Sequence, residues 1–421
     1  RLNMSEEFVL SDEAVAITPT QLQAQEEKIK QTVNEIEKAG KLTEEDKKKL
    51  QQKAAKAKNE DEEIAALTND LNEFIQDKVS ISNDDGGNIE RIPTGIDLLD
   101  VIAGGGFGVG VFTQIVGNPG TFKSALVAQV IGHNQQRLAG KMLATYHDSE
   151  TSMTKERLAN LGVNKPAIEP YTDVTVESVF KTIAALCAFK EARSLVDRLA
   201  IVGWDSIANT GTDKDRTTDD INQTIGLKAR MLSQLFPRYL QKMKQYKIAL
   251  IAVNQLREKL EMGMFSPPSD LQHMGNKDIP GGQAVKFNSF HLLFLRNKGD
   301  LKFEQYGFNG IRLEAFFVKN KFFRPYVPVT LLVDFNKGIS NFWTNYNFLT
   351  TQKKIQSGAW NFLLSLPQKK FRTKDALEIY NTNSEGFKVA FDKELKETIQ
   401  QVLIDRTVPD ATSKVATETA E

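Results

Sequence analysis

Through the first eighty residues the apolar positions are sparse and fall three or four apart. Leu22, Ile29, Val33 and Ile36 are followed by Ile64, Leu67, Leu71, Phe74 and Ile75, in a background of Lys, Glu, Gln and Ala. This spacing predicts amphipathic helices over residues 1–80, with Thr caps in "TPTQ" and "LTEED" and a break at Gly40. The apolar stripes are narrow. They suit a helical hairpin or a contact between protomers, and merely charged, solvated helices fit the same pattern.

From "NDDGGNIERIPTGIDLLD" onward the pattern changes to short, continuous apolar runs. "VFTQIVG", "KMLATYHD", "RLAIVGWD", "IALIAVN" and "FHLLFLR" read as strands, and the helical stretches between the first four predict parallel βαβ crossovers. The expectation is an α/β core over residues 81–339. After "LLVDFNKGIS", the segments "NFLTTQKKIQSGAWNFLLS" and "SEGFKVAFDKELKETIQQVLI" read as a small, mostly helical C-terminal unit over 340–405. The end, 406–421, is polar and small in composition and is expected to be disordered. No internal repeat is evident.

Composition narrows the function classes. The 421 residues carry 54 basic and 54 acidic side chains, which argues against a wholly basic nucleic-acid binder but leaves room for local basic loops. Cys187, the one cysteine, sits in "TIAALCAF", where it reads as a small core residue and can form no internal disulfide. A reducing, cytoplasmic setting is the expectation. No run of 18 apolar residues and no leader pattern is visible, so neither a membrane span nor export is expected.

The chemistry concentrates in "GNPGTFKSALVAQV", residues 117–130. A phosphate-binding loop follows the pattern G-x-x-x-x-G-K-[ST], in which backbone N–H groups crowd the phosphates while the lysine and hydroxyl serve the terminal phosphates and Mg²⁺. Gly117, Lys123 and Ser124 are in place. Phe122, however, stands where the pattern has a glycine able to adopt positive φ. The context is favourable, because the segment follows a strand and opens a helix whose N-terminus can receive phosphate. A second strand ends in Asp205, a position suited to orienting Mg²⁺.

The order of the remaining motifs resembles the RecA class of DNA recombinases. Glu150 in "YHDSE", Asn254 and Gln255 in "VNQLREK", and the stretches "GLKARMLSQ", "GGQAVKF" and "FVKNK" carry the resemblance, which runs from about Arg91 to about Ser340. The C-terminal "KKIQSGAWNFL" is similar as well. A phosphate loop ending in Phe-Lys-Ser resembles that of the phage-type UvsX recombinases, whereas Gln255 leans towards bacterial RecA. The resemblance implies an α/β fold, a RecA-like phosphate-loop ATPase core with a helical N-terminal extension and a small α/β, mostly helical C-terminal domain.

It also implies roles. Gly117, Asn118, Pro119, Gly120, Thr121, Phe122, Lys123, Ser124 and Ala125 would cradle ATP, with Ser124 and Asp205 at Mg²⁺. Glu150 would be the general base for water, and Gln255 the sensor of the γ-phosphate. Lys319 and Lys321 would reach the ATP of a neighbouring protomer, where solvated edge lysines are the plainer reading. Arg157 falls where RecA stacks an aromatic on adenine, and its guanidinium plane can also stack.

Two loops, about 209–225 and about 257–282, are implied to meet DNA. Arg230, Arg257 and Lys259 would contact phosphates, Gly281 and Gly282 would offer backbone N–H groups, and Ile225 and Leu260 would wedge between bases. Lys286 and Phe287 match residues at the protomer interface; a core position is the alternative for Phe287. The expected partners are single-stranded DNA, a homologous duplex, further copies in a helical filament, and single-strand-binding or loader proteins. A ring-forming motor of helicase type and a nucleotide-binding mediator without turnover are the rival readings. His147 has no metal-ligand spacing around it, and the basic run "QKKFRTK" fits a solvated face as well as a guide for duplex DNA.

Overall fold

The computed structural model describes residues 89–139, 141–163, 170–217, 226–258 and 277–405. The expected N-terminal helices, the C-terminal tail and much of both expected DNA loops, including Ile225, Lys259 and Leu260, lie outside the described residues.

All five apolar runs form strands of one nine-stranded sheet. In chain order its strands are β1 (Phe112–Gly117), β2 (Leu143–Asp148), β3 (Pro170–Tyr171), β4 (Ala200–Asp205), β5 (Ile248–Gln255), β6 (Ser289–Leu301), β7 (Gly310–Asn320), β8 (Val329–Asp334) and β9 (Gly338–Ile339). Across the sheet the order is β9-β8-β7-β6-β1-β5-β4-β2-β3. The six strands from β6 to β3 run parallel, and β6 to β9 continue as an antiparallel meander.

The runs are continuous rather than alternating because the parallel strands are covered on both faces. Successive residues point to opposite sides. Ile115, Ile201, Ile251 and Val253 join one apolar cluster with helices α1 (Asp97–Ala103) and α2 (Lys123–Arg137), whereas Phe112, Val202, Trp204, Leu250 and Ala252 join another. The second cluster is closed by α4 (Val176–Ala192) and α5 (Leu227–Gln245), through Val179, Phe180 and Ile183 on the one and Leu232 and Phe236 on the other. Helix α3 (Lys155–Asn160) lies between β2 and β3 in the chain, and α6 (Gln283–Asn288) leads into β6. Cys187 is a buried, free thiol in α4.

Beyond β9, α7 (Asn341–Thr351) and α8 (Phe387–Ile399) pack on the first cluster through Trp343, Leu349, Phe387 and Phe391. Between them lie the strands of this α/β, mostly helical unit, in a segment whose sequence reads as helical. Residues 355–371 form a three-stranded antiparallel sheet, Ile355–Gln356, Asn361–Leu363 and Leu366–Phe371. Ser357 and Gly358 turn the chain where a helix would have needed continuous helix formers. No helix among the described residues is long and apolar enough to cross a membrane.

His291, on β6, is fully buried within ring contact of Phe107, Phe290, Phe317 and Phe322. Burial holds its pKa down to about 3. The folded imidazole therefore stays neutral while the unfolded chain takes up a proton near pH 6.5, so its share of stability falls as pH drops below that value. His291→Phe is expected to remove this dependence. Between pH 7.5 and pH 5 the natural chain should lose about 2 kcal/mol more unfolding free energy than the variant. Denaturant melts of both at the two pH values measure it, and equal losses would contradict it.

Candidate active site

Open parallel sheets place ligands at the carboxyl ends of their strands. Here β1, β2, β4 and β5 deliver Gly117, Asp148, Asp205 and Gln255 to one end, with Gly117 paired to Gln255 and Asp148 to Asp205 in the strand register. The segment from Gly117 to Phe122 joins β1 to α2. Gly120 has φ 74°, and Phe122 itself adopts φ 56° and ψ 26°, the left-handed conformation. The position thus keeps the backbone shape a glycine would give. For phenylalanine that shape costs about 1–2 kcal/mol. Its ring stacks on Phe335, with centroids 5.9 Å apart and planes at 14°.

No side chain caps α2, so the N–H donors of its first turn are open to phosphate oxygens. Lys123 arches back over the loop and donates to the Asn118 carbonyl at 2.8 Å and to Thr121 Oγ1 at 3.5 Å. Burial pulls its pKa down, while Asp205 and Glu150 oppose the shift. A phosphate entering the cleft would meet a desolvated ammonium.

Asp205 is fully buried, and burial raises its pKa to about 6, with Ser124 and Tyr146 holding it down in part. Tyr146 Oη donates to Asp205 Oδ2 at 3.0 Å, whereas Oδ1 has no hydrogen-bond partner. That bare acceptor beside the Ser124 hydroxyl fits Mg²⁺, held by a hydroxyl, a carboxylate, water and substrate phosphates. Among the described residues no cluster of three or more His, Cys, Asp or Glu side chains forms a self-contained metal site. Ser124 and Asp205 would hold the metal, which would supply positive charge against the phosphates.

Glu150 is held with unusual completeness. Its Oε1 accepts from Ser206 Oγ at 2.7 Å, Asn209 Nδ2 at 2.7 Å and Gln255 Nε2 at 2.9 Å. The turn that presents it is fixed by Asp148, which accepts from the backbone N–H of Glu150 at 3.0 Å and of Met153 at 2.7 Å. Ser149 and Ser206 tie that turn to the end of β4, across a cis Asp205–Ser206 peptide. Glu150 and Gln255 therefore share a hydrogen bond, so a change at either reaches the other.

Residues 120–125, Glu150, Asp205 and Gln255 line one cleft of about 360 Å³, together with Pro119, Ser152, Met153, Arg157 and Val253. Arg157, the expected base-stacking group, is exposed at its rim. A larger cavity, about 740 Å³ between Leu98, Tyr326, Phe348 and Leu403, lies apart and contains none of the chemistry.

The other expected residues do not line this cleft. Lys319 donates to the carbonyls of Lys286 (3.2 Å) and Phe287 (2.7 Å), and Lys321 lies 5.4 Å from the centroid of the Phe290 ring. Lys286 pairs with Asp278, and Phe287 is 73 % exposed, a surface rather than a core position. Arg230 and Arg257 are exposed, while Gly281 and Gly282 adopt φ 101° and 77°. Asn254 links the two regions by donating to the Pro280 carbonyl at 2.8 Å, just before those glycines.

Sequence reasoning missed Tyr146, Ser149, Ser206, Asn209 and Phe335. Only Tyr146 left a signal, since a phenol within a buried run needs a polar partner. His147, by contrast, is a buried ring stacked on Tyr171 with neither nitrogen bonded, and burial takes its pKa down to about 4.

The RecA N-terminal domain model matches residues 65–340. Protein RecA of Aquifex aeolicus is 29% identical over 282 residues, covering 65% of this chain and 74% of that protein. Protein RecA of Aquifex pyrophilus is 30% identical over 255 residues (60% and 67%), and that of Herpetosiphon aurantiacus 27% over 301 (71% and 78%). The family model takes in β1 through β9 and every group of the cleft, and on that match the chain belongs to the RecA family.

Proposed function

We propose that the chain is an ATP-dependent homologous DNA recombinase that assembles as a helical filament on single-stranded DNA, pairs it with a homologous duplex and exchanges strands. The observation that carries this reading is Glu150, fixed by Ser206, Asn209 and Gln255 in the same cleft as Lys123, Ser124 and Asp205. Glu150 orients and activates water against the γ-phosphate, and Lys123 with the N-terminus of α2 holds the phosphates.

Gln255 reports the nucleotide state to the loop that follows β5. Its bond to Glu150 and the Asn254–Pro280 bond support that role, because both ends of the second loop are then anchored beside the cleft. Arg230, Arg257, Lys259, Gly281 and Gly282 hold the DNA backbone, with Ile225 and Leu260 between bases. ATP drives assembly by favouring the protomer state that binds DNA more tightly.

Lys319 and Lys321 act on the ATP of the adjacent protomer, with Lys286 and Phe287 at the shared surface. Their position away from their own cleft supports action in trans. Residues 1–80 contact a neighbouring protomer, 340–405 form the small C-terminal domain, and single-strand-binding and loader proteins assist assembly in the cytoplasm. The Phe-Lys-Ser ending of the phosphate loop supports a phage-type lineage of the UvsX kind.

Joint-molecule formation between a circular single strand and a homologous linear duplex, with ATP and Mg²⁺, tests the reading. ATP-dependent joint molecules and helical filaments in micrographs are expected. Closed rings with duplex unwinding would replace it with the motor reading.

A further inference from the structure

The phosphate loop carries a phenylalanine in a conformation that favours glycine, and the fold supplies that phenylalanine with one stacking partner. Phe335 sits in the turn between β8 and β9, 45 % exposed, and its ring lies nearly parallel to that of Phe122. The turn is itself rigid. Asp334 Oδ1 accepts from the backbone N–H of Asn336 at 2.8 Å, and the Phe335 N–H donates to the Asn309 carbonyl at 3.2 Å.

A second tie joins the strand that follows the turn, β9, to α2. Gln129 on α2 donates to the Ile339 carbonyl at 3.0 Å and accepts from the Ile339 N–H at 2.8 Å. Phe122 immediately precedes α2, and Gln129 lies within it, seven residues further on. Phe335 therefore holds the residue just before α2, and Ile339 holds the helix itself at Gln129. Gly338 makes the grip possible, because a Cβ there would meet Gln129 Oε1 at 2.6 Å.

We infer that Phe335 is a positioning residue for the phosphate loop, holding Phe122 in its left-handed conformation and thereby aiming Lys123 and the first N–H groups of α2 at the phosphates. The stack takes the place of the conformational freedom a glycine would provide. This rests on the reading of the cleft as an ATP site.

A double-mutant cycle on nucleotide binding tests it, using the full chain, Mg²⁺ and a fluorescent ATP analogue without DNA. Phe335→Ala is expected to weaken binding about tenfold, because loss of the stack releases Phe122 to conformations about 1–2 kcal/mol more favourable. Phe335→Tyr, which keeps the ring, should stay within about twofold of the natural chain. In the Phe122→Gly background the loop reaches positive φ unaided, so adding Phe335→Ala should change binding less than about twofold.

Steady-state hydrolysis gives the matching split, a raised KM with kcat retained in Phe335→Ala. An equal loss in both backgrounds would overturn the inference and place Phe335 directly against the nucleotide. Unaltered binding in Phe335→Ala would overturn it too. Absence of analogue binding by the natural chain would instead remove the ATP reading, and the inference with it.

Discussion

Lys123→Ala is expected to abolish ATP hydrolysis, lowering the rate by about 10²–10³ or more, and to leave DNA binding without its response to ATP. The lysine is 7 % exposed and lies within the field of both Asp205 and Glu150. In so dry a site an ammonium stabilises developing phosphate charge far more than it could in water, and alanine offers nothing in its place. The fold should survive. Asn118, whose carbonyl accepts from Lys123, also accepts from Thr121 Oγ1 at 2.8 Å and so keeps a partner. An unchanged melting curve with lost turnover is the expected pair of results, and ATP-responsive DNA binding by this variant would contradict the assignment of the loop.

Glu150→Gln separates binding from chemistry. The amide oxygen of glutamine can still accept from Ser206, Asn209 or Gln255, so the turn at the end of β2 should hold its shape. What disappears is the basic carboxylate, and removal of a general base costs about 10²–10⁴ in rate. The variant should bind ATP and DNA, remain bound, and turn over at a small fraction of the natural rate. Single-turnover hydrolysis together with a DNA-release assay reads both quantities. Normal turnover would remove Glu150 as the base and leave it as a structural partner of Gln255.

The sheet was legible because its central strands β1, β2, β4 and β5 are continuous apolar runs of six to eight residues, such as "FTQIVG" and "IALIAVNQ", with helices between them. A parallel sheet buried on both faces leaves that mark in a sequence. The strands of residues 355–371 left no comparable mark. The first two are two and three residues long, and the third, "LPQKKF", is mostly solvent-facing, so its pattern reads as charge rather than as a face.

At the site, Lys123, Ser124 and Asp205 were legible from the phosphate-loop pattern and the strand ends, and Glu150 and Gln255 from the resemblance to the RecA class. Their supports were not. Ser206 and Asn209 reach Glu150 only because β4 ends beside β2, and the Phe122–Phe335 stack joins the first strand of the sheet to its far edge. Such contacts are set by tertiary adjacency and leave no local signal. Phe122 was a departure from the phosphate-loop pattern as sequence, and becomes intelligible once its positive φ and its stacking partner are known.

On the proposed function, one cleft hydrolyses ATP under the control of bound DNA. The steady-state rate of ATP hydrolysis, measured at one fixed salt concentration with no DNA, with single-stranded DNA and with duplex DNA, tests it most directly, since phosphate-backbone binding depends on salt. Slow hydrolysis without DNA and strong stimulation by single strands are expected. Hydrolysis that proceeds equally under all three conditions, or not at all under any, would contradict it.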